Sequence, residues 1–152
     1  METKNLFIRF FNDFGETFVL HAVAAHFNNG LIPVALFFLF ISILTGNPYF
    51  EHTVLHLLIV AIVMVPVSFL SGLRDWRRNF GGGRAPVFYW KIKLSGLLFI
   101  LQGSAAATRL ADPSVMERQG IGLWVYLGTL FLSLPIVVLL GHYGGKLAYR
   151  RK

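Results

Sequence analysis

Five histidines are the residues of this 152-residue chain whose type and placement best suit chemistry. All of them, His21, His26, His52, His56 and His142, fall in or at the ends of long apolar segments. Polar side chains at membrane depth are functional candidates, because placing them in hydrocarbon is costly. Imidazoles on different helices of an apolar bundle are the ligands that a bis-histidine haem b site requires. The histidines therefore predict one or two haem b groups.

Other catalytic groups are scarce. The sequence has no cysteine, which excludes iron–sulfur clusters and thiolate–zinc sites. We expect each of the acidic residues to fall in a terminus or a loop, so that neither a Ser-His-Asp arrangement nor an acidic residue within a span is available. This pattern argues against hydrolases and proton pumps. We expect a redox subunit without substrate chemistry of its own, and the sequence leaves open whether it is an enzyme.

Position along the predicted helices decides which histidines can bind the same iron. His142 is level with His21 or His26, whereas His56 lies about 20 Å from that level at 1.5 Å per residue. We therefore expect His26 or His21 to pair with His142, whereas His56 could hold a second haem only with a partner ligand from elsewhere. Five residues turn a helix so that about 140° separates His21 from His26, and at most one should face a given slot. For each histidine, the alternative is a hydrogen bond within the bundle or to a quinone.

Basic residues and glycines complete the predicted cofactor site. Arg74 and Lys91 lie at span ends, where they can pair with haem propionates or, alternatively, with lipid headgroups. Gly141 and Gly144 flank His142 and allow a helix or a flat ring to approach closely. The predicted cofactor-binding residues are His21, His26, His56, His142, Arg74, Lys91, Gly141 and Gly144, with the four histidines as candidate metal ligands.

The composition places these residues in a membrane. Hydrophobic residues make up 55% of the chain and charged residues 14%, and the mean hydropathy is +0.63. A soluble domain carries about 25% charged residues, so most of this surface should face lipid. Four apolar segments, at about 17–45, 53–73, 88–108 and 121–142, are candidates to cross about 30 Å of hydrocarbon. Short connections predict an all-α integral membrane four-helix bundle with antiparallel neighbours, one domain over residues 1–152.

Two of the predicted segments need closer interpretation. We favour a first span that continues through Asn28, Asn29 and Gly30, over the alternative of an interfacial helix at about residues 5–27 that breaks there. A basic loop over residues 74–87, with three glycines, is predicted to act as a linker or hinge. Before the fourth span, Asp112 or Ser114 is expected to cap a short surface helix.

Lysine and arginine positions predict the orientation. Of the 14 such residues, all except Arg109 and Arg118 fall on one side of the spans. The positive-inside rule then puts both termini in the cytoplasm, in a multi-pass protein of the cell's inner (plasma) membrane. The net charge of +7 is therefore a topology signal, and we expect no nucleic-acid partner. The acidic residues near the start of the chain argue against a cleaved leader.

Three fragments together resemble a known family. They are His21 with His26-Phe27, then Gly72 with Asp75-Trp76, and finally Gly141-His142 with Gly144-Gly145. In this order they resemble a family of small predicted membrane proteins with four spans, known mainly as a domain of unknown function. That family typically has prolines after both opening histidines, which are absent here, and a histidine at the start of span three, where this chain has Lys91 and Lys93. The resemblance implies a membrane module like a b-type cytochrome.

Together these features predict a membrane electron-transfer subunit. It would pass electrons between a quinone pool and a redox partner through bis-histidine haem b, the partner being another subunit or a second copy in the same lipid bilayer. The alternative is a haem-free anchor or assembly subunit of a larger complex. A small transporter fits less well, because Asn28 to Gly30 and Pro66 are the only hints of a broken helix.

Overall fold

The computed structural model describes residue 8 and residues 19–149 of the chain. Four helices follow one another, α1 (Val19–Thr45), α2 (Pro48–Phe80), α3 (Pro86–Ala111) and α4 (Ile121–Tyr149). Each is long and apolar enough to cross a membrane, and the described residues include no strand. The predicted all-α fold with four spanning helices is confirmed. Residues 17 and 18 of the first predicted span, and the basic residues Lys4, Arg9, Arg150, Arg151 and Lys152, lie outside the described residues.

The helices form a ring in chain order. α1 packs most closely against α2, and α3 against α4, whereas the α2–α3 and α1–α4 contacts are sparser. Within the described residues, the diagonal pairs α1–α3 and α2–α4 have no Cα atoms within 8 Å of each other. The bundle therefore consists of two tight antiparallel hairpins that lie side by side.

Apolar side chains fill the axis of the bundle and also cover its outside. Ile32, Leu39, Leu58 and Leu130 are fully buried in the core. Only 22% to 33% of the most apolar window of each helix is buried, however, and large side chains such as Phe37 point outward. An exposed apolar surface of this extent suits contact with lipid rather than with water.

α1 is continuous through the polar segment in its middle. The helix includes Asn28, Asn29 and Gly30, and it also accommodates Pro33. Asn28 is buried and Asn29 half-buried, so both asparagines face protein rather than lipid. The structure has the single helix that we favoured. The alternative interfacial helix begins in a segment that, apart from Ile8, lies outside the described residues.

α2 extends beyond the second predicted span at both ends. Asn47 caps its start by accepting a hydrogen bond from the Tyr49 backbone at 3.0 Å, and Pro48 occupies the first turn. At its other end the helix continues to Phe80, and Gly81 ends it in the left-handed conformation with φ 58°. Much of the predicted loop is therefore helix, and a connection at 81–85 remains. Hydropathy marks where a helix leaves hydrocarbon, not where it ends.

The connection between α3 and α4 forms turns rather than the expected surface helix. The Asp112 side chain accepts hydrogen bonds from the hydroxyl and the backbone N–H of Ser114, at 2.8 and 3.0 Å, which closes a local turn. These two bonds, with Arg118 at 3.6 Å, hold the pKa of the Asp112 carboxyl below its usual value. Val115 follows and is buried, so this segment packs against the bundle.

A buried ion pair joins three helices at one end of the bundle. Glu51, in the first turn of α2, accepts hydrogen bonds from Arg109 Nε at 2.6 Å, from Arg109 Nη2 at 2.8 Å and from the Tyr126 hydroxyl at 2.8 Å. Arg109 lies in the last turn of α3, and Tyr126 lies near the start of α4. We refer to these three residues as the Glu51 clamp and to their end of the bundle as the clamp end.

The clamp corrects one expectation from the sequence. Glu51 is buried inside α2, and Asp75 also lies in this helix, so the acidic residues are not confined to termini and loops. The predicted apolar segment of span two started at Thr53, which left Glu51 in the preceding loop. At the opposite end, which we term the basic end, α1 begins and α4 ends. Exposed basic side chains lie there, namely Arg74, Arg77, Arg78, Lys93 and Lys146.

We predict that Arg109→Met destabilises the bundle by about 3–5 kcal/mol, because it leaves the Glu51 carboxylate buried without its charge partner. The measurement is unfolding in detergent, by heat or by increasing SDS. Arg118→Met is the matched control, since the Arg118 side chain is 74% exposed at the same end. The double variant Glu51→Leu/Arg109→Met should recover most of the loss, and equal stability of Arg109→Met and Arg118→Met would contradict the prediction.

Candidate functional site

A cavity of about 420 Å³ lies at the basic end between all four helices. This volume is within the range of about 300–1,000 Å³ that is usual for small-molecule sites. Its polar lining comes from three helices and its α4 wall from leucines and glycines. The polar lining residues are His21, His26, Asn28, Asn29, Ser68, Asp75, Lys91 and Ser95, and the aromatic ones are Phe69, Trp76, Phe80 and Phe88.

His21 is held in a defined orientation at this cavity. Its Nδ1 lies 2.9 Å from the Ser68 backbone oxygen, and Ser71 Oγ lies 3.5 Å from the same nitrogen. Because a carbonyl oxygen can only accept, Nδ1 carries a proton, and in the neutral ring Nε2 carries the lone pair. Metal-binding histidines share this pattern, in which the second nitrogen is fixed by a backbone carbonyl.

Gly72 makes the position of His21 possible. A Cβ atom at residue 72 would lie 2.7 Å from His21 Cε1 and 3.0 Å from its Nδ1. No ordinary side chain fits there unless the imidazole moves. The glycine of the Gly-x-x-Asp-Trp fragment therefore admits the His21 ring, while Asp75 and Trp76 of the same fragment line the cavity.

His26 lines the same cavity from a more exposed position. Its Nδ1 donates to the Ala22 backbone oxygen one turn earlier, at 2.6 Å. The sequence predicted that at most one of His21 and His26 would face a given site, and here both do. The difference arises because the cavity borders α1 over a wide arc, from residue 21 to residue 29.

The other histidines lie elsewhere. His142 is exposed on α4, where its ring contacts Tyr143 with the centroids 5.7 Å apart, while the neighbouring Gly141 and Gly144 line the cavity. His56 is exposed near the clamp end and contacts His52, with ring centroids 5.2 Å apart. Within this chain, the predicted pair of His26 and His142 is therefore not brought together.

This arrangement does not fit a bis-histidine haem held by one chain. Such a haem needs imidazoles on opposite sides of the ring, and both histidines that line the cavity belong to α1. The facing α3 wall carries Lys91 and Ser95 instead. Among the described residues, no group of three or more His, Cys, Asp and Glu side chains is placed to hold a metal ion. The cavity thus offers axial imidazole from one wall.

The two basic residues that were predicted to contact the cofactor, Arg74 and Lys91, lie in different environments in the structure. Lys91 is half-buried, lines the cavity and interacts electrostatically with Asp75 across it. Arg74 is exposed and is not part of the lining. The charges at the cavity therefore come as a pair of opposite sign, which lowers the cost of placing either one at the edge of the hydrocarbon.

Asn28 is the residue that points most directly to a ligand. It lines the cavity and is 5% exposed, and its Oδ1 has no hydrogen-bond partner among the described residues. An unpaired buried amide oxygen costs about 1–3 kcal/mol, which a ligand with a donor group would remove. The sequence indicated only that Asn28 faces protein or a cofactor. Its position in an apolar helix was the available signal.

Fragments that are distant in the sequence meet at this one cavity. They come from the start of α1, from the last third of α2 and from the end of α4. The residues of these fragments that line the cavity are His21, His26, Asp75, Trp76, Gly141, Gly144 and Gly145, with Gly72 next to the His21 ring. Ser68, Phe69 and Phe88 also line the cavity and were not predicted from the sequence, because no motif marks them.

Comparisons with known proteins agree with a membrane protein. Residues 17–152 match a family model described as a predicted membrane protein. No curated protein and no solved structure matches the chain.

We predict that Gly72→Ala displaces His21 and destabilises the protein by about 1–3 kcal/mol, as other overpacking substitutions do. Gly96→Ala is the matched control in a neighbouring helix, because a Cβ at Gly96 meets nothing within 4 Å. It should be neutral or stabilising, since alanine is the better helix former. Thermal unfolding in detergent measures both. In a His21→Ala background, Gly72→Ala should lose most of its effect, and an unchanged penalty there would show that His21 is not the cause.

Proposed function

The chain belongs to the DUF2231 family of predicted membrane proteins, and we propose that it is a membrane electron-transfer subunit whose basic-end cavity binds a quinone. The observation that carries this proposal is the convergence of the three fragments on one cavity that combines an oriented imidazole, a cation and an unpaired amide oxygen. The quinone is the substrate of the electron transfer, and the chain supplies its binding groups.

The polar groups suit both oxidation states of a quinone. A quinone has two carbonyl oxygens that accept hydrogen bonds, and reduction by two electrons and two protons converts them to hydroxyls, which donate. Lys91 is a pure donor, whereas Asn28 Oδ1 is an acceptor with no hydrogen-bond partner in the part of the chain that the structure describes. Donor and acceptor at one site allow the oxidised and the reduced ring to bind.

The aromatic walls suit a flat ring. Trp76 and Phe88 lie with their ring centroids 5.5 Å apart, and Phe80 contacts Phe88 at 5.3 Å. Trp76 Nε1 donates to the Gly83 backbone oxygen at 2.9 Å, which fixes the indole against the loop at 81–85. Aromatic side chains in such positions offer offset-stacked or edge contacts to another ring. The glycines of α4 opposite leave room for it.

The electron partner is proposed to dock at the basic end. The exposed cations there, including Arg74, Arg77 and Lys93, form a positive surface beside the cavity that suits an acidic redox protein or subunit. Under the positive-inside rule this end faces the cytoplasm in the inner membrane. A second copy of the chain in the same bilayer is the alternative partner, and it would have to meet this chain away from the positive surface.

We predict that Lys91→Met and Asn28→Leu each weaken quinone binding about 10-fold or more, because each removes a hydrogen bond to the ring. Binding is measured by titrating the detergent-purified protein with benzoquinone and naphthoquinone analogues and following the rise in unfolding temperature. Lys93→Met is the control, since Lys93 is exposed two residues away and is not part of the lining. Absence of binding in the unmodified protein, or equal weakening by Lys93→Met, would contradict the proposal.

Haem b is a second candidate for the cavity, and the contact between His21 Nδ1 and the Ser68 carbonyl favours it. When bound, it would supply one-electron chemistry, and His21 would hold it. We predict that a reduced-minus-oxidised spectrum of haem-replete protein shows the Soret band of a high-spin haem that His21→Ala abolishes and that His142→Ala and His56→Ala leave unchanged.

The same spectrum separates the alternatives. Loss of the band in His142→Ala would instead support the pairing predicted from the sequence. A colourless, folded protein that binds quinone would assign the cavity to the quinone alone. A protein that binds neither would be the haem-free anchor.

A further inference from the structure

A second depression adjoins the cavity on the outer face of α1. It is a shallow apolar groove that extends from Ala22 to Val34, and Phe27 and Gly30 lie along it. Twelve residues of helix correspond to about 18 Å. Phe27 and Val34 are 41% and 43% exposed, so the groove faces away from the bundle, toward lipid.

The groove is continuous with the cavity. Ala22 and His26 line both of them. The cavity therefore borders the lipid-facing surface of α1 at this point, and His26 lies where the polar lining ends and the apolar groove begins. A lateral path for a ligand that is soluble in the bilayer would therefore run past His26 into the cavity.

Gly30 forms an open part of the groove. A Cβ at Gly30 meets nothing within 4 Å, in contrast to Gly72, where the missing side chain makes room for His21. Glycine inside a helix is less favourable than alanine. Among the described residues, no packing contact requires a glycine at this position, whereas a long flexible chain that lies along α1 would occupy the space.

We propose that the ligand is an isoprenoid quinone that enters from the bilayer past His26, with its ring in the cavity and the first part of its tail in the groove over Gly30. This inference rests on the proposed quinone function and adds the ligand class and its path. The continuity of the groove with the cavity favours a tail over a packed helix as the occupant of the groove, because the groove begins where the ring site ends. The apolar lining matches a hydrocarbon tail.

The test uses the full chain in lipid nanodiscs and an isoprenoid quinone that carries a photoreactive diazirine in the first part of its tail. Labelled residues are mapped by mass spectrometry. We expect labelling at residues 27–34 that excess unlabelled quinone suppresses. Gly30→Leu should lose most of this labelling but still bind a quinone that has no tail. Gly144→Leu should lose both, because Gly144 lines the cavity and a Cβ there meets nothing within 4 Å.

Two controls separate the possible failures. Gly96→Leu adds the same side chain at an exposed glycine outside the cavity and the groove, and it should change neither measurement. A fatty acid with the same diazirine reports ordinary lipid contact. Equal labelling of residues 27–34 by the fatty acid, or tail labelling elsewhere while the tail-less quinone still binds, would overturn the groove assignment and leave the quinone site intact. Failure of both quinones to bind would overturn the proposed function itself.

Discussion

The Glu51 carboxylate is the group on which the arrangement of the bundle depends. A single acidic side chain in α2 accepts hydrogen bonds from α3 and α4, and it is 4% exposed. A buried charge of this kind is tolerated only with its partners in place, so three helix ends must meet at one point. At the other end Asp75 and Lys91, on different hairpins, interact electrostatically, but no hydrogen bond or close ion pair between them is found among the described residues. Small and polar side chains occupy that space, and the cavity lies between them.

The fold could be predicted from the sequence because its main determinant is local. A segment that is apolar over about 20 residues predicts a spanning helix without any knowledge of its neighbours. The helix ends could not be predicted in the same way. α2 ends at Gly81 because a glycine adopts the left-handed conformation there, and the charged turns before it remain helical outside the hydrocarbon. The length of the apolar segment determines the membrane span, whereas the capping residues determine where the helix begins and ends.

The site could be predicted only in part, for a geometric reason. Depth along a helix follows from counting residues, and it placed the start of α1 level with the end of α4, where His21, His26 and Gly141 line one cavity. Rotation about the helix axis is set by packing, so His142 faces outward while Gly141, one residue earlier, lines the cavity. The Glu51 clamp was missed because its partners are 58 and 75 residues away in the chain. Opposite charges just beyond two predicted span ends, at Glu51 and Arg109, were the signal.

The clamp also bears on how the protein is made. Glu51 is synthesised 58 residues before Arg109 and 75 residues before Tyr126. When the ribosome has completed only the first hairpin, that carboxylate has neither donor, and the hairpin carries a lone acidic group at the edge of the bilayer. Completion of α3 supplies the Arg109 guanidinium, which neutralises the Glu51 carboxylate. The second hairpin therefore supplies the counterion for a charge on the first hairpin only after the first hairpin has been synthesised. The free energies of membrane insertion of the two hairpins are therefore coupled.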